Sequence, residues 1–153
     1  MPRLPAISDL DAHVGFWLRY VSNHVSHAFA ARVAAEGVTV AEWVMMRALY
    51  DRAPTAPSRV ADDMGMTRGA ITKLADRLIG KGLVLRKSDA RDKRAQTLEL
   101  TAAGEEMVPR LAALADRNDA EFFDHLPASE REMLVKLLRQ TVELRKLTAV
   151  PTE

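Results

Sequence analysis

The sequence predicts a mainly α fold that carries one small β-hairpin. Apolar residues recur at offsets of three and four along most of the 153 residues, which is the spacing of amphipathic helices. Two short runs, 83–87 and 95–100, have β-type composition and flank a polar turn. No repeat or low-complexity segment divides the chain, so we expect a single domain over residues 1–153.

The first two helices are predicted by an apolar stripe and by a capping motif. The stripe runs over residues 14–33, and Gly37 follows it as a helix terminator. Thr39 and Glu42 have the spacing of a capping box, in which each side chain satisfies a free backbone amide of the other residue. A second helix therefore starts here and ends before Pro54.

A short third helix over 57–64 begins with a proline in its first turn, and Gly65 ends it in a left-handed conformation. Thr67 then caps a fourth helix over 67–78. The apolar residues of this helix share one face, so its cationic residues must lie on the opposite face. Two glycines end it before the hairpin.

Two further helices are predicted after the hairpin. Thr101 caps the fifth, which runs to about Phe123. Ser129 and Glu132 fit a second capping box, and the sixth helix has a predicted inner face made of Leu134, Leu137, Leu138, Thr141 and Val142. We expect the last few residues to fray.

Composition excludes several classes of protein. Without cysteine there is no disulfide framework, thiolate nucleophile or cysteine-based metal site. No signal-peptide pattern and no apolar run of membrane-spanning length occurs, so we expect a soluble cytoplasmic protein with no membrane partner. Charge is sorted along the chain: Arg68 to Arg94 holds nine basic and three acidic residues, a net charge of +6 in a chain whose total is +1. This distribution favours a local surface for a polyanion.

A helix, a turn, a cationic helix and a basic hairpin follow one another in the order of a winged helix-turn-helix, which places its second helix in a DNA major groove. The candidate DNA-binding residues of that helix are Thr67, Arg68, Gly69, Thr72, Lys73 and Arg77. The alternative is an ordinary solvated helix. In the hairpin the candidates are Arg86, Lys87, Asp89, Arg91, Asp92, Lys93 and Arg94, and the alternative is a charged turn.

The segment SDARDKRAQTLELT at 88–101 resembles the DxRDxR wing signature of MarR-type regulators, and the predicted order of six helices is similar over nearly the whole chain. The resemblance implies that an arginine of the wing tip, for which Arg94 is our first choice, enters the minor groove. It also implies DNA binding by residues 38–101 and homodimerisation through 1–35 and 102–153. Dimer contacts would include Leu4, Ile7, Leu10, Leu144 and Leu147.

The expected function is sequence-specific binding of double-stranded DNA by a homodimeric transcriptional regulator. We expect a repressor that binds a pseudo-palindromic operator. The alternative is a winged-helix module that binds an acidic protein and has no operator. We find no catalytic motif, so the protein is not expected to be an enzyme.

The resemblance also implies a small aromatic or phenolic effector. Candidate pocket residues are Trp17, Tyr20, His24, Trp43, Met46 and Arg47, although aromatic residues at helical spacing also serve as core. His24 and His27 have the spacing of half a zinc site, but no cluster of ligands accompanies them. Neither a metal nor a cofactor is predicted.

Overall fold

The computed structural model describes residues 6–88, 91–92 and 95–153. A short 3-10 helix at Leu10–Ala12 comes before the first α-helix. The remaining elements are, in chain order, α1 (Val14–Ala35), α2 (Val40–Leu49), α3 (Pro57–Met64), α4 (Arg68–Gly80), β1 (Val84–Ser88), β2 (Gln96–Leu100), α5 (Ala102–Phe123) and α6 (Ala128–Arg145). The predicted mainly α fold with one hairpin is confirmed.

Local capping places most helix ends where the sequence predicted them. The Thr39 hydroxyl accepts from the Glu42 amide at 3.2 Å, and the Glu42 carboxylate accepts from the Thr39 amide at 3.1 Å. The hydroxyls of Thr67 and Thr101 each accept from an amide three residues later at 3.1 Å. Gly65 has a φ of 62°, a left-handed conformation that glycine adopts without steric cost. Each interaction satisfies a backbone group that the helix leaves unpaired.

The second predicted capping box is wrong. The helix begins one residue before Ser129, because Pro127 is the N-cap and its carbonyl accepts from the Arg131 amide at 3.0 Å. Ser129 therefore lies inside the first turn, where its side chain does not cap the helix. Residues 147–153 form neither helix nor strand, and the amide of Val150 donates to the carbonyl of Met64 at 3.2 Å. Fraying of the last residues stays a prediction.

The hairpin is joined to the helical unit by one isolated β-bridge. β1 and β2 pair antiparallel, from Val84 opposite Leu100 to Ser88 opposite Gln96. Thr55, in the loop between α2 and α3, donates to the Leu98 carbonyl at 2.9 Å and accepts from the Leu98 amide at 2.8 Å. The hairpin is therefore fixed to the helical unit through its second strand.

The core lies in the middle of the chain. Buried apolar side chains come from residues 33–111, and the largest of them are Met45, Met46, Leu49, Met64, Ile71, Leu78, Leu98 and Leu111. Helix α1 contributes only Val33, and α6 contributes no buried residue. The predicted inner face of α6 is thus largely exposed in the single chain: Leu137, Leu138 and Val142 are 52%, 42% and 46% exposed, and Leu134 is partly buried.

Candidate nucleic-acid interface

Helix α4 has one buried face and one exposed face. Ile71, Leu74 and Leu78 are at most 3% exposed and pack in the core. At 100° per residue, Arg68, Gly69, Thr72 and Lys73 lie on the opposite, exposed face, as the sequence predicted. Burial of the apolar side therefore fixes which residues α4 presents to solvent.

The exposed residues of α4 differ in what their polar groups contact. The Thr67 hydroxyl is used in the helix cap, and the Thr72 hydroxyl donates to the Arg68 carbonyl at 2.9 Å. Neither Arg68 nor Lys73 forms an ion pair with any residue that the structure describes. These two side chains are thus the cations of this face that can bind an external anion without breaking an ion pair seen here.

Arg77, also predicted to bind DNA, is held by the protein itself. Its Nη2 atom lies 3.1 Å from Glu42 Oε1 and 3.1 Å from the Thr39 hydroxyl. One turn later, Lys81 Nζ lies 3.0 Å from Glu42 Oε1 and 2.8 Å from the Gly37 carbonyl. Arg77 and Lys81 thus attach the C-terminal end of α4 to the start of α2. Arg77 is still 52% exposed, so DNA contact by this residue stays a prediction.

Glu42 is fully buried at this junction. Burial alone would raise the pKa of its carboxyl group, but hydrogen bonds from Lys81, Arg77 and Thr39 outweigh burial and hold the pKa below the ordinary value of 4.5. Glu42 is therefore an anion that fixes α4. Sequence reasoning identified Glu42 only as a cap; the missed signal was the pair of cations four residues apart at the C-terminal end of α4.

Two predicted wing residues also have partners within the protein. Arg86 Nη2 lies 2.8 Å from Asp76 Oδ1, which connects β1 to α4. Lys87 Nζ lies 2.6 Å from Glu99 Oε1 on the adjacent strand. The first ion pair orients the hairpin on α4 and the second joins its two strands, so part of the predicted positive charge has a positioning role.

The hairpin tip is only partly described. Arg91 and Asp92 are exposed there, and the Asp92 carbonyl accepts from the Ala95 amide at 3.0 Å. Asp89, Lys93 and Arg94 lie outside the described residues, as does the predicted dimer residue Leu4. The minor-groove role of Arg94 stays a prediction from the sequence.

The six predicted effector residues do not line one cavity. Tyr20 and His24 stack with ring centroids 5.5 Å apart, and both line a cavity of about 560 Å³ formed with Phe122, Phe123 and the start of α6. Trp43 lines a separate cavity of about 340 Å³ between α1, α2 and α5. We call the latter the Trp43 cavity.

The other three predicted effector residues have different surroundings. The indole N–H of Trp17 donates to the Asp11 carbonyl at 2.8 Å, and Met46 is fully buried in the core. The guanidinium carbon of Arg47 lies 5.7 Å from the ring centroid of Tyr50, a cation–π arrangement. None of these three side chains lines the Trp43 cavity.

A polar network beside the Trp43 cavity had no sequence signal. Asn118 is 3% exposed, donates to the Val25 carbonyl at 3.2 Å and accepts from Arg32 Nε at 3.3 Å. Arg32 also forms an ion pair with Glu121. The network connects α1 to α5 across 86 to 93 positions of sequence, a separation at which residue spacing gives no information.

Neither a cluster of metal ligands nor a membrane-spanning helix is found in the described part of the chain. Residues 6–88, 91–92 and 95–153 contain no group of three or more histidine or acidic side chains placed to hold a metal ion. Over the same residues, no helix is both long and apolar enough to cross a membrane.

Similarity to known proteins agrees with this geometry. The MarR family model matches residues 38–95, which begin before α2 and extend into the hairpin turn. The transcriptional regulator HosA of Escherichia coli O157:H7 is 31% identical over 103 residues, which cover 67% of this chain and 76% of HosA.

Solved structures share the fold over most of the chain. Bordetella bronchiseptica BpsR, whose DNA binding is regulated by 6-hydroxynicotinic acid, has a TM-score of 0.77 at 23% identity and covers 89% of this chain and 97% of its own. The Staphylococcus aureus MepR–DNA complex has a TM-score of 0.77 at 18% identity and covers 86% of this chain and 97% of the MepR chain. Together with the family model and the HosA match, they lead to one assignment: this chain belongs to the MarR family of transcriptional regulators.

Proposed function

We propose that this regulator is a homodimeric repressor that binds a pseudo-palindromic operator and is released by a small aromatic ligand. The observation that carries the proposal is the exposed face of α4, where Arg68 and Lys73 lie opposite a buried apolar face. A helix held in this way can enter a major groove without rearrangement of the core.

Base recognition is assigned to the N-terminal half of α4. Arg68 and Lys73 have the donors that suit guanine O6 and N7, and Gly69 leaves open space in which a base edge or phosphate can approach the backbone. The hairpin extends beside α4, and an arginine at its tip would gain from the negative potential of a narrow minor groove. MepR, which has the same fold, was solved as a complex with DNA, which supports DNA as the partner of this surface.

Dimerisation is supported by where apolar surface remains exposed. Among the described residues, the exposed large apolar side chains all lie in 7–21 and 133–150. Ile7, Val14 and Leu144 are 91%, 74% and 83% exposed. Monomers rarely leave so many large apolar side chains in water, so a second copy of the chain is the proposed cover. A two-fold dimer would present its α4 helices to half-sites about 34 to 36 Å apart.

The Trp43 cavity is the proposed effector site. Val25, Phe29 and Val40 provide apolar walls, and Ser26 and Asn118 provide hydrogen-bonding groups. Trp43 follows Glu42 directly in α2, and Glu42 holds α4 through Arg77 and Lys81. A ligand that displaces α2 would therefore change the position of α4, and with it the half-site spacing of the dimer.

The test is selection of bound genomic fragments by the purified protein, followed by titration of the best fragment in fluorescence anisotropy. Arg68→Ala and Lys73→Ala should each weaken binding by about 1–3 kcal/mol, roughly 5- to 150-fold. Arg110→Ala is the matched control, because Arg110 is exposed on α5, outside both the basic segment and the exposed apolar surface assigned to the dimer. The control should bind like the parent.

The same titration separates the competing functions. If no fragment is preferred over bulk DNA and the α4 variants equal the control, the regulator proposal fails and the protein-interaction module is favoured. Addition of 6-hydroxynicotinic acid then tests release with a defined aromatic acid. If the fragment stays bound at a high concentration of 6-hydroxynicotinic acid, this compound is not the effector. The DNA-binding result is unaffected by that outcome.

A further inference from the structure

The segment after α6 turns sharply back towards the DNA-binding unit. Lys146 adopts a left-handed conformation with a φ of 53°, and the Leu147 amide donates to the Val142 carbonyl at 3.0 Å. This closure ends α6 and redirects the chain. We call residues 147–153 the C-terminal strap.

The strap contacts the turn between α3 and α4. The amide of Val150 donates to the carbonyl of Met64, the last residue of α3, at 3.2 Å. A Cβ atom placed on Gly65 would lie 2.8 Å from Ala149 Cα and would also overlap the Thr148 carbonyl oxygen. Only glycine therefore fits beneath the strap, and it does so two residues before Thr67, the N-cap of α4.

The far end of the strap reaches the Trp43 cavity. Pro151 and Glu153 form part of its lining, together with Val40 and Trp43 of α2. One short segment thus touches both the wall of the cavity and the turn that precedes α4.

We propose that the strap is an intramolecular lid: it covers the Trp43 cavity and braces the α3–α4 turn, so that a molecule entering the cavity displaces it and releases that turn. Among the described residues, one backbone hydrogen bond, from Val150 to Met64, joins the strap to the DNA-binding unit, so the strap can be displaced at small cost. The effect on DNA rests on the proposed function, whereas the lid itself can be tested without DNA or effector.

The experiment measures acrylamide quenching of Trp43 in a Trp17→Phe background, which leaves Trp43 as the single indole. Deletion of residues 147–153 should raise the quenching constant roughly twofold, because a half-buried ring becomes exposed. Gly65→Ala should do the same by displacing the strap. Gly82→Ala is the matched control, since Gly82 is also left-handed, with a φ of 72°, but has open space around its Cβ position.

Thermal unfolding gives a second readout. In the deletion background Gly65→Ala should lower Tm only by the cost of left-handed alanine, about 2–8 °C, as Gly82→Ala does. In the full chain its drop should be larger than that of Gly82→Ala, because the strap is also lost. Unchanged Trp43 quenching on deletion, or identical effects of both glycine variants in the full chain, would overturn the lid. A confirmed lid in a protein that retains no DNA fragment would refute only the proposed function.

Discussion

Replacement of Glu42 by glutamine tests whether the buried carboxylate holds α4 in place. Glutamine has about the same size as glutamate and keeps an oxygen that accepts the hydrogen bond from the Thr39 amide. It removes the negative charge that binds Arg77 and Lys81. Hydrogen bonds to charged groups contribute about 1.5–3 kcal/mol each. Both cations are 40–52% exposed and can be rehydrated, and the variant avoids the cost of burying a carboxylate. We expect a net loss of about 2 kcal/mol in the free energy of unfolding.

The loss should depend on pH in a defined direction. The pKa of Glu42 is lower in the folded protein than its ordinary value of 4.5, because the hydrogen bonds from its partners outweigh burial. The stabilisation is therefore fully present above the unfolded pKa and disappears as pH falls through the folded pKa. The difference between parent and Glu42→Gln should be largest near neutral pH and shrink below about pH 4.5.

Guanidinium unfolding followed by circular dichroism measures both effects. Protein concentration must be held constant, since dimerisation would couple stability to concentration. Glu36→Gln is the matched control, because Glu36 is exposed and forms no ion pair with the described residues. An unchanged midpoint for Glu42→Gln, or a difference that is the same at pH 7 and pH 4, would refute the assigned role of the carboxylate.

Three further substitutions follow from packing. Gly104→Ala would place a Cβ 3.1 Å from Leu100 Cδ2 and against the Leu83 carbonyl, so we expect it to cost about 1–3 kcal/mol in thermal unfolding; a parental Tm would contradict this. A Cβ atom added at Gly69 would have no atom within 4 Å, so Gly69→Ala should stabilise α4 by about 0.5–1 kcal/mol. It should also weaken binding of the DNA fragment, because the methyl group occupies space that DNA needs. An affinity equal to that of the parent would show that DNA does not approach this backbone. Leu138→Glu, on the exposed apolar face of α6, should convert a dimer to monomers in analytical ultracentrifugation, and an unchanged sedimentation coefficient would argue against that face.

Helix ends were predicted well because capping is local. A hydroxyl that satisfies an amide three residues later needs no tertiary partner, and Thr39, Thr67 and Thr101 all behave in this way. The exception at Ser129 has a local cause too, since Pro127 takes the N-cap position. The spacing of a motif was correct there, but another residue competed for the same role.

Periodicity predicted which residues share a helix face, but it did not predict what covers that face. The apolar side of α4 is buried, whereas the equally regular side of α6 is exposed in the single chain. The aromatic residues of α1 and α2 were expected to meet in one pocket. They line different cavities, because helix packing directs Tyr20 towards α5 and α6 and Trp43 towards α1 and α5.

The sequence by itself determined the order of the helices, their caps and the polar face of α4, since these depend on residues within about one helical turn of each other. Only the tertiary structure decided that Arg77 holds Glu42 35 positions away and that the last residues cover the turn before α4. Ion pairs and close backbone approaches depend on distances between elements, and those distances are set when all the apolar faces pack together.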